Sequence, residues 1–353
     1  MTWNINCRNT GKDAKHQKTP KTPVPVLRHL LFRVSQCVAF LHVLRLSMSS
    51  VYSRSNPAPL LPNATLGYTA KHLQYEPDTT MKLKEYPVSA WHSLKLWLTP
   101  AASLEAKSNG HEIPVIVSLT SIPSRLPILH LTIRSLLRQT VRPERIVLWL
   151  HHDLKAEVPK RLSSLQSDLF EIRYAEQTCA HRKLVHALTA FPGKTIVTCD
   201  DDLLYQANWL SSLYQEHLHH PEEVVAHECR RIQYDNEGNT EPYSQWRAEQ
   251  PGTSHPDTLA IGYGGTLYPP GRLHSNTTQA DLYLNLAPRA DDLWFKAMSF
   301  LNGTQVRRTD NAPKRPIPII RSQAEALGHT NIKQDQNRTQ WNAIRTHYDF
   351  HKE

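Results

Sequence analysis

Cysteine is scarce in this chain and poorly spaced for structural work. Cys7, Cys37, Cys179, Cys199 and Cys229 are an odd number with no C-x-x-C pair. That speaks against a disulfide framework and a cysteine zinc site, and for a reducing compartment. Glycine is sparse too, 12 residues against 25 prolines, so any glycine cluster stands out. No uncharged apolar run reaches the ~18 residues that a membrane span requires. The longest candidate, residues 24–46 (VPVLRHLLFRVSQCVAFLHVLRL), is interrupted by Arg28, Arg33 and Arg45. It has no clean small-residue cleavage site and reads poorly as a signal peptide. Peripheral contact with an anionic membrane, as a basic amphipathic helix, is the reading left for it. The plainer alternatives are a solvated helix, or residues upstream of a later start at Met48 or Met81.

Net charge is absent from most of the chain. Residues 1–110 hold 14 Lys+Arg and 5 Asp+Glu, a net of +9, so residues 111–353 hold 41 − 14 = 27 basic and 32 − 5 = 27 acidic groups. The pI of about 9.3 therefore belongs to a basic N-terminal extension, 1–110. Residues 1–23 of it are polar and Lys-rich, as disordered segments are. Residues 47–110 read as loop with short apolar pieces such as WHSLKLWL (91–98). A neutral second region with acidic clusters is wrong for a phosphate backbone, so no nucleic acid is expected as a partner.

From Ile113 onward, β-branched runs alternate with helical spacing. IPVIVSL (113–119), RIVLWL (145–150), FEIRYA (170–175), KTIVTCD (194–200) and EVVAHE (223–228) read as strands. Residues 126–140, 158–167, 182–191 and 208–220 between them read as helices. Such alternation predicts an α/β domain over 111–353, with a mainly parallel central sheet and helices on both faces. Ligands of such sheets bind beyond the carboxyl ends of the strands.

At one such end stands VTCDDDLLY. Asp200, Asp201 and Asp202 repel one another unless a cation neutralises them, and Mn²⁺ or Mg²⁺ would do so while bridging to phosphate oxygens. In extended conformation Asp200 and Asp202 point one way and Asp201 the other. GYGGTLYPPG (262–271) offers Gly264 and Gly265 for close backbone approach, or simply a hairpin turn. PRADDLWFKAMSFL (288–301) puts Asp291 and Asp292 at a helix start, as N-caps or with a general base among them. SLTSIPSR (118–125) sets polar groups and Arg125 after the first strand, as a nucleotide pocket or a structural turn.

The succession SLTSIPSR, HRKLVHAL, VTCDDDLLYQANWL, GYGGTLYPPG and ADDLWFKAM resembles the bacterial glycosyltransferase family 2-like group, with the GT-A fold, over roughly residues 113–345. The resemblance implies a metal-dependent, inverting glycosyltransferase. It would move a sugar from a nucleotide-diphospho-sugar donor to a glycan or lipid-linked acceptor in bacterial surface glycan synthesis. The site would be cytoplasmic or peripheral at the inner membrane. Asp200 and Asp202 match the D-x-D that meets metal and diphosphate, with Asp201 turned towards ribose or a backbone amide. Asp292 matches the catalytic base. Asp291 stands where the family has Glu, which leaves the division of labour between the two open. Gly264 and Gly265 match the loop near donor and acceptor, and Thr120, Arg125 and Lys183 would lie near the nucleotide or phosphates. His329 is a candidate third metal ligand, with His347 as another. The Q-x-x-R-W motif of processive synthases is absent, which favours single additions. Two competing readings are a metal-dependent phosphohydrolase and a basic membrane-surface binding protein.

Overall fold

The computed structural model describes residues 81–320, 322 and 335–350, all within one compact unit, Gln74–Glu353. The basic stretch 24–46 and His329 lie outside the described residues. Among the described residues no helix is long and apolar enough to cross a membrane.

An eight-stranded sheet forms the centre. Its strands are β1 (Glu112–Thr120), β2 (Arg142–His151), β3 (Phe170–Ala175), β4 (Thr195–Thr198), β5 (Val224–Ala226), β6 (Ser254–His255), β7 (Thr266–Tyr268) and β8 (Val306–Arg308). The order is β3-β2-β1-β4-β7-β5-β8-β6. Pairing is parallel from β3 through β4 and between β5 and β8; β7 and the edge strand β6 run against their neighbours. This is the mainly parallel α/β sheet expected, with one reversed strand inserted beside β4.

The period-2 alternation of side chains builds a core on each face of the sheet. Val115, Val117 and Leu119 of β1 join one core, with Leu129, Ile133 and Leu136 of α2 (Leu126–Leu137) and Leu210 and Leu213 of α4 (Trp209–His219). Ile116 points into the other. It packs there with Leu184 and Val185 of α3 (Arg182–Ala190), Trp294 and Met298 of α5 (Asp291–Leu301), and Trp341 of α6 (Gln336–Tyr348). With both faces covered, the inner strands carry near-continuous apolar runs, which is why β1 to β4 stand out in the sequence.

Three sequence expectations are corrected. The helix expected over 158–167 is a single turn, Lys160–Ser163. The fourth strand ends at Thr198, two residues before the acidic triplet. The loop expected over 47–110 is, where described, largely helical: α1 runs from Glu85 to Leu98, and a short helix follows at Ala101–Glu105. Polar bonds fasten α1 to the body. Ser89 Oγ donates to the Pro318 carbonyl at 2.6 Å, and Arg134 Nη1 of α2 donates to the carbonyls of Leu96 and Thr99 at 3.1 and 2.6 Å.

The glycine stretch forms a 3₁₀ turn, Gly262–Gly264, that feeds β7. Gly265 there has φ +99°, and a Cβ on it would stand 2.5 Å from the Trp209 indole. Gly265→Ala should therefore lose about 1–3 kcal/mol by overpacking, plus the ~1–2 kcal/mol cost of a left-handed residue. Gly303 has φ +69° with open space around its Cβ position, so Gly303→Ala carries only the second penalty. Urea midpoints of the two variants check this, and equal losses would contradict it.

Candidate active site

The end of β4 lies between two neighbours that carry chemistry. Thr198 is in register with Ser118 of β1 on one side and with Thr266 of β7 on the other. The turns after β1 and before β7 are thereby brought beside Asp200–Asp202.

The triplet follows a bend, so the alternation expected of an extended strand does not hold. Asp201 and Asp202 share one guanidinium: Arg125 Nη1 meets Asp201 Oδ1, and Nη2 meets Asp202 Oδ2 at 3.0 Å. Ser121 Oγ also donates to Asp201 Oδ2. Asp201 is thus buried and tied within the protein rather than turned to a ribose. Asp200 takes a different partner, Lys183 Nζ, at 2.9 Å from Oδ1. Its side chain is the most open of the three, 33% exposed, and Oδ2 has no protein partner among the described residues.

Lys183 was expected near nucleotide or phosphates. It is instead a buried bridge between carboxylates, with Asp291 Oδ2 3.0 Å from the same nitrogen. Two flanking acids hold its ammonium well into the charged range against the cost of burial. The neighbouring Arg182, also buried, donates to Thr120 Oγ1 and to the carbonyls of Gln177 and Ser121, both at 2.7 Å. Thr120 in turn donates to the Trp149 carbonyl at 2.9 Å. Thr120 is therefore engaged inside the protein, and Arg125 is engaged there through Nη1 and Nη2, while its Nε has no hydrogen-bond partner among the described residues.

Asp291 and Asp292 open α5, where the helix dipole favours anions. Their surroundings differ. Burial would raise the Asp291 carboxyl, but Lys183 first, and then His181, bring it below the usual carboxylate range. Asp292 is half-buried, and desolvation together with the Asp291 charge pushes it up to about 7. Its Oδ2 accepts from the Gly262 amide at 2.9 Å, and Oδ1 has no hydrogen-bond partner among the described residues.

The glycine assignments shift accordingly. A Cβ on Gly264 would meet Glu228 at 2.9 Å, and one on Gly265 would meet Trp209. Both positions are thus small for the protein's own packing. At Gly262 a Cβ would stand 2.7 Å from Asp292 Oδ1 and 3.0 Å from Lys183 Nζ. Gly262 is the glycine of the site, and the sequence reading passed over it because G-Y-G-G gives its glycines no rank. Tyr205 was missed as well. Its hydroxyl accepts from the Asp200 amide at 2.9 Å and donates to the Tyr263 carbonyl at 3.2 Å, joining the triplet to the glycine turn. His347 is exposed in the last turn of α6 against Tyr348.

Five carboxylates (Asp200, Asp201, Asp202, Asp291, Asp292) face three cationic side chains (Arg125, Arg182, Lys183). The nearby His181 is kept neutral by burial, its value lowered to about 4. The excess of two negative charges, hard oxygen donors and the open Oδ2 of Asp200 fit a divalent cation. No three of these acids converge on one point; the His/Asp/Glu group that does so among the described residues is His151, His152 and Asp153, on the exposed turn after β2.

This charge excess has a pH signature. Asp202 and Asp292 are both pushed to about 7, first by desolvation. Stability from a raised acid is fully present below its unfolded value and lost as pH rises through its folded value. Buried His130, His181 and His227, lowered from 6.5 to about 4, act oppositely, as do the lowered His92, His186 and His217, and their effect fades through pH 6.5 and above. Lys296, lowered to about 8, adds stability only above that pH. Comparison with the double variant Asp202→Asn, Asp292→Asn, whose histidines are unchanged, isolates the acids. In metal-free buffer, the stability of the wild type relative to that variant should fall as pH rises towards 7, and Mn²⁺ should flatten the fall. Thermal melts of both proteins with and without Mn²⁺ decide it; parallel metal-free profiles would refute the charge excess.

Residues 124–268 match the profile of the family described as "Glycosyl transferase family 2". No curated protein matches significantly. Among solved structures, 4-diphosphocytidyl-2C-methyl-D-erythritol synthase from Anaerococcus prevotii aligns at 12% identity, covering 66% of this chain and 97% of its own, with a TM-score of 0.37. CMP:2-keto-3-deoxy-manno-octonic acid synthetase complexed with CTP aligns at 11% identity, covering 65% and 100%, with a TM-score of 0.35. HddC from Yersinia pseudotuberculosis aligns at 10% identity, covering 45% and 76%, with a TM-score of 0.30. The family match takes in the triplet and the glycine turn that the sheet sets side by side: over residues 124–268 this mixed α/β chain is similar to glycosyltransferase family 2.

Proposed function

We propose that this enzyme transfers a sugar from a nucleotide-diphospho-sugar to an acceptor hydroxyl with inversion, using Asp292 as general base. The observation that carries the proposal is the contrast at the start of α5. One acid, Asp291, is buried and ion-paired; the next, Asp292, is half-buried with a raised proton affinity and a carboxylate oxygen left over among the described residues. A base poised near neutral pH is the kind suited to taking a proton from a hydroxyl.

Asp200 and Asp202 would hold a Mn²⁺ or Mg²⁺ ion, whose chemistry when bound is neutralisation of the leaving diphosphate. The remaining residues position. Arg125 and Ser121 fix the Asp201 side chain, Lys183 sets the spacing of Asp200 from the α5 start, and the Gly262 amide orients Asp292. The acceptor hydroxyl loses its proton to Asp292 Oδ1 while its oxygen attacks the anomeric carbon from the face opposite the diphosphate, and the bond from that carbon to the diphosphate oxygen breaks, releasing the nucleoside diphosphate with the electron pair. Charge at the sugar builds as in glycoside hydrolysis.

Asp292→Asn keeps the Gly262 hydrogen bond and removes the base. It should lower kcat by about 10²–10⁴-fold with donor KM nearly unchanged, as steady-state kinetics will show; near-normal kcat would sink the assignment. Gly262→Ala intrudes on Asp292 Oδ1 and should cost about tenfold or more in kcat, a displacement effect of the kind that misplaced groups produce. Calorimetry should show donor binding retained in both variants.

A further inference from the structure

Helix α1 is amphipathic the wrong way round for a helix on a globular body. At ~100° per residue, Ser89 and Leu96 share the stripe that faces inward, and both are buried. Trp91, Leu94 and Leu98 share the opposite face and point to solvent, flanked by Tyr86, Val88 and Trp97. Trp91 is 65% exposed and Trp97 48%, while Ser89 is 0%. Of ten exposed large hydrophobic side chains among the described residues, seven lie between Leu83 and Leu98. Such a concentration marks an interaction surface rather than ordinary surface apolarity.

We propose that α1 lies on an anionic lipid bilayer, with Trp91, Leu94 and Leu98 inserted below the headgroups. Three observations select lipid. The face is one convex helix rather than a groove shaped for a partner. Its outward residues combine Trp and Tyr with Lys84 and Lys95, the composition of helices at a water–hydrocarbon boundary. The charge is complementary as well: Lys82, Lys84 and Lys95 oppose Glu85 alone over residues 81–98, and the preceding 80 residues carry ten Lys+Arg against three Asp+Glu. Polybasic segments beside an inserting helix add attraction to anionic headgroups.

The test is vesicle co-sedimentation of the full chain, with phosphatidylcholine–phosphatidylglycerol vesicles against phosphatidylcholine alone. Binding should be strong to the mixed vesicles and weak to the neutral ones, with a blue shift of tryptophan emission. The double variant Trp91→Ser, Trp97→Ser should bind about tenfold or more weakly with an unchanged melting temperature, since both side chains face solvent. Lys82→Glu with Lys84→Glu and Lys95→Glu should also weaken binding. The proposal is overturned by no binding to mixed vesicles, by equal binding to neutral ones, or by a tryptophan variant that binds like wild type, which would assign the contact to residues 24–46. It is likewise overturned if the chain self-associates without lipid, by sedimentation velocity, and the tryptophan variant does not, because α1 would then be covered by a second copy.

Discussion

A buried ammonium holds the site in shape. Lys183 Nζ touches Asp200 from the end of β4 and Asp291 from the start of α5, two points 91 residues apart in sequence. Neither acid would be comfortable without it. Asp291 is buried, and an uncompensated buried charge costs about 3–5 kcal/mol. Lys183 itself is carried by α3, whose apolar face is locked into the core beneath the sheet. The separation between triplet and helix start is therefore set by packing and by charge together, and Gly262 must be small because Lys183 and Asp292 occupy the space beside it.

The triplet solves its own repulsion by splitting. Arg125 takes two carboxylates and Lys183 takes one, which a strict strand alternation would not allow. The split leaves the neighbourhood two charges short of neutrality. Burial, with the neighbouring carboxylates, appears as raised proton affinity at Asp202 and Asp292. The diphosphate of the proposed donor would add to this negative charge, which is the physical reason for proposing a divalent cation there.

The legible parts of the sequence were those fixed by local pattern. β1 to β4 are buried on both faces, so their apolar runs were plain, and three adjacent acids after the fourth run marked a site end. What was illegible depended on contacts from elsewhere. Gly264 and Gly265 drew notice, but it is Glu228 and Trp209 that require them to be small, and no spacing rule connects those residues. Lys183 reads as a phosphate ligand because nothing local shows that Asp200 and Asp291 flank it. Helix α1 read as loop because its apolar residues follow no inward-facing pattern; the inward residue Ser89 is held by a hydrogen bond to Pro318, 229 positions away.

The two acids of α5 show how one helix start can serve two purposes. Consecutive residues project about 100° apart, so side chains at 291 and 292 must meet different surroundings whatever their chemistry. Asp291 turns into the protein and becomes the counter-ion of Lys183. Asp292 turns to the glycine turn, keeps an oxygen free of protein hydrogen bonds among the described residues and holds its proton more tightly. Each depends on the other. The Asp291 charge helps raise Asp292, and Lys183 keeps Asp291 charged. Asp291 is one methylene shorter than a Glu, and the short reach suits a carboxylate that stays beside a buried lysine. This contrast is what the proposal of position 292 for proton transfer rests on, with position 291 holding charge in place beside Lys183.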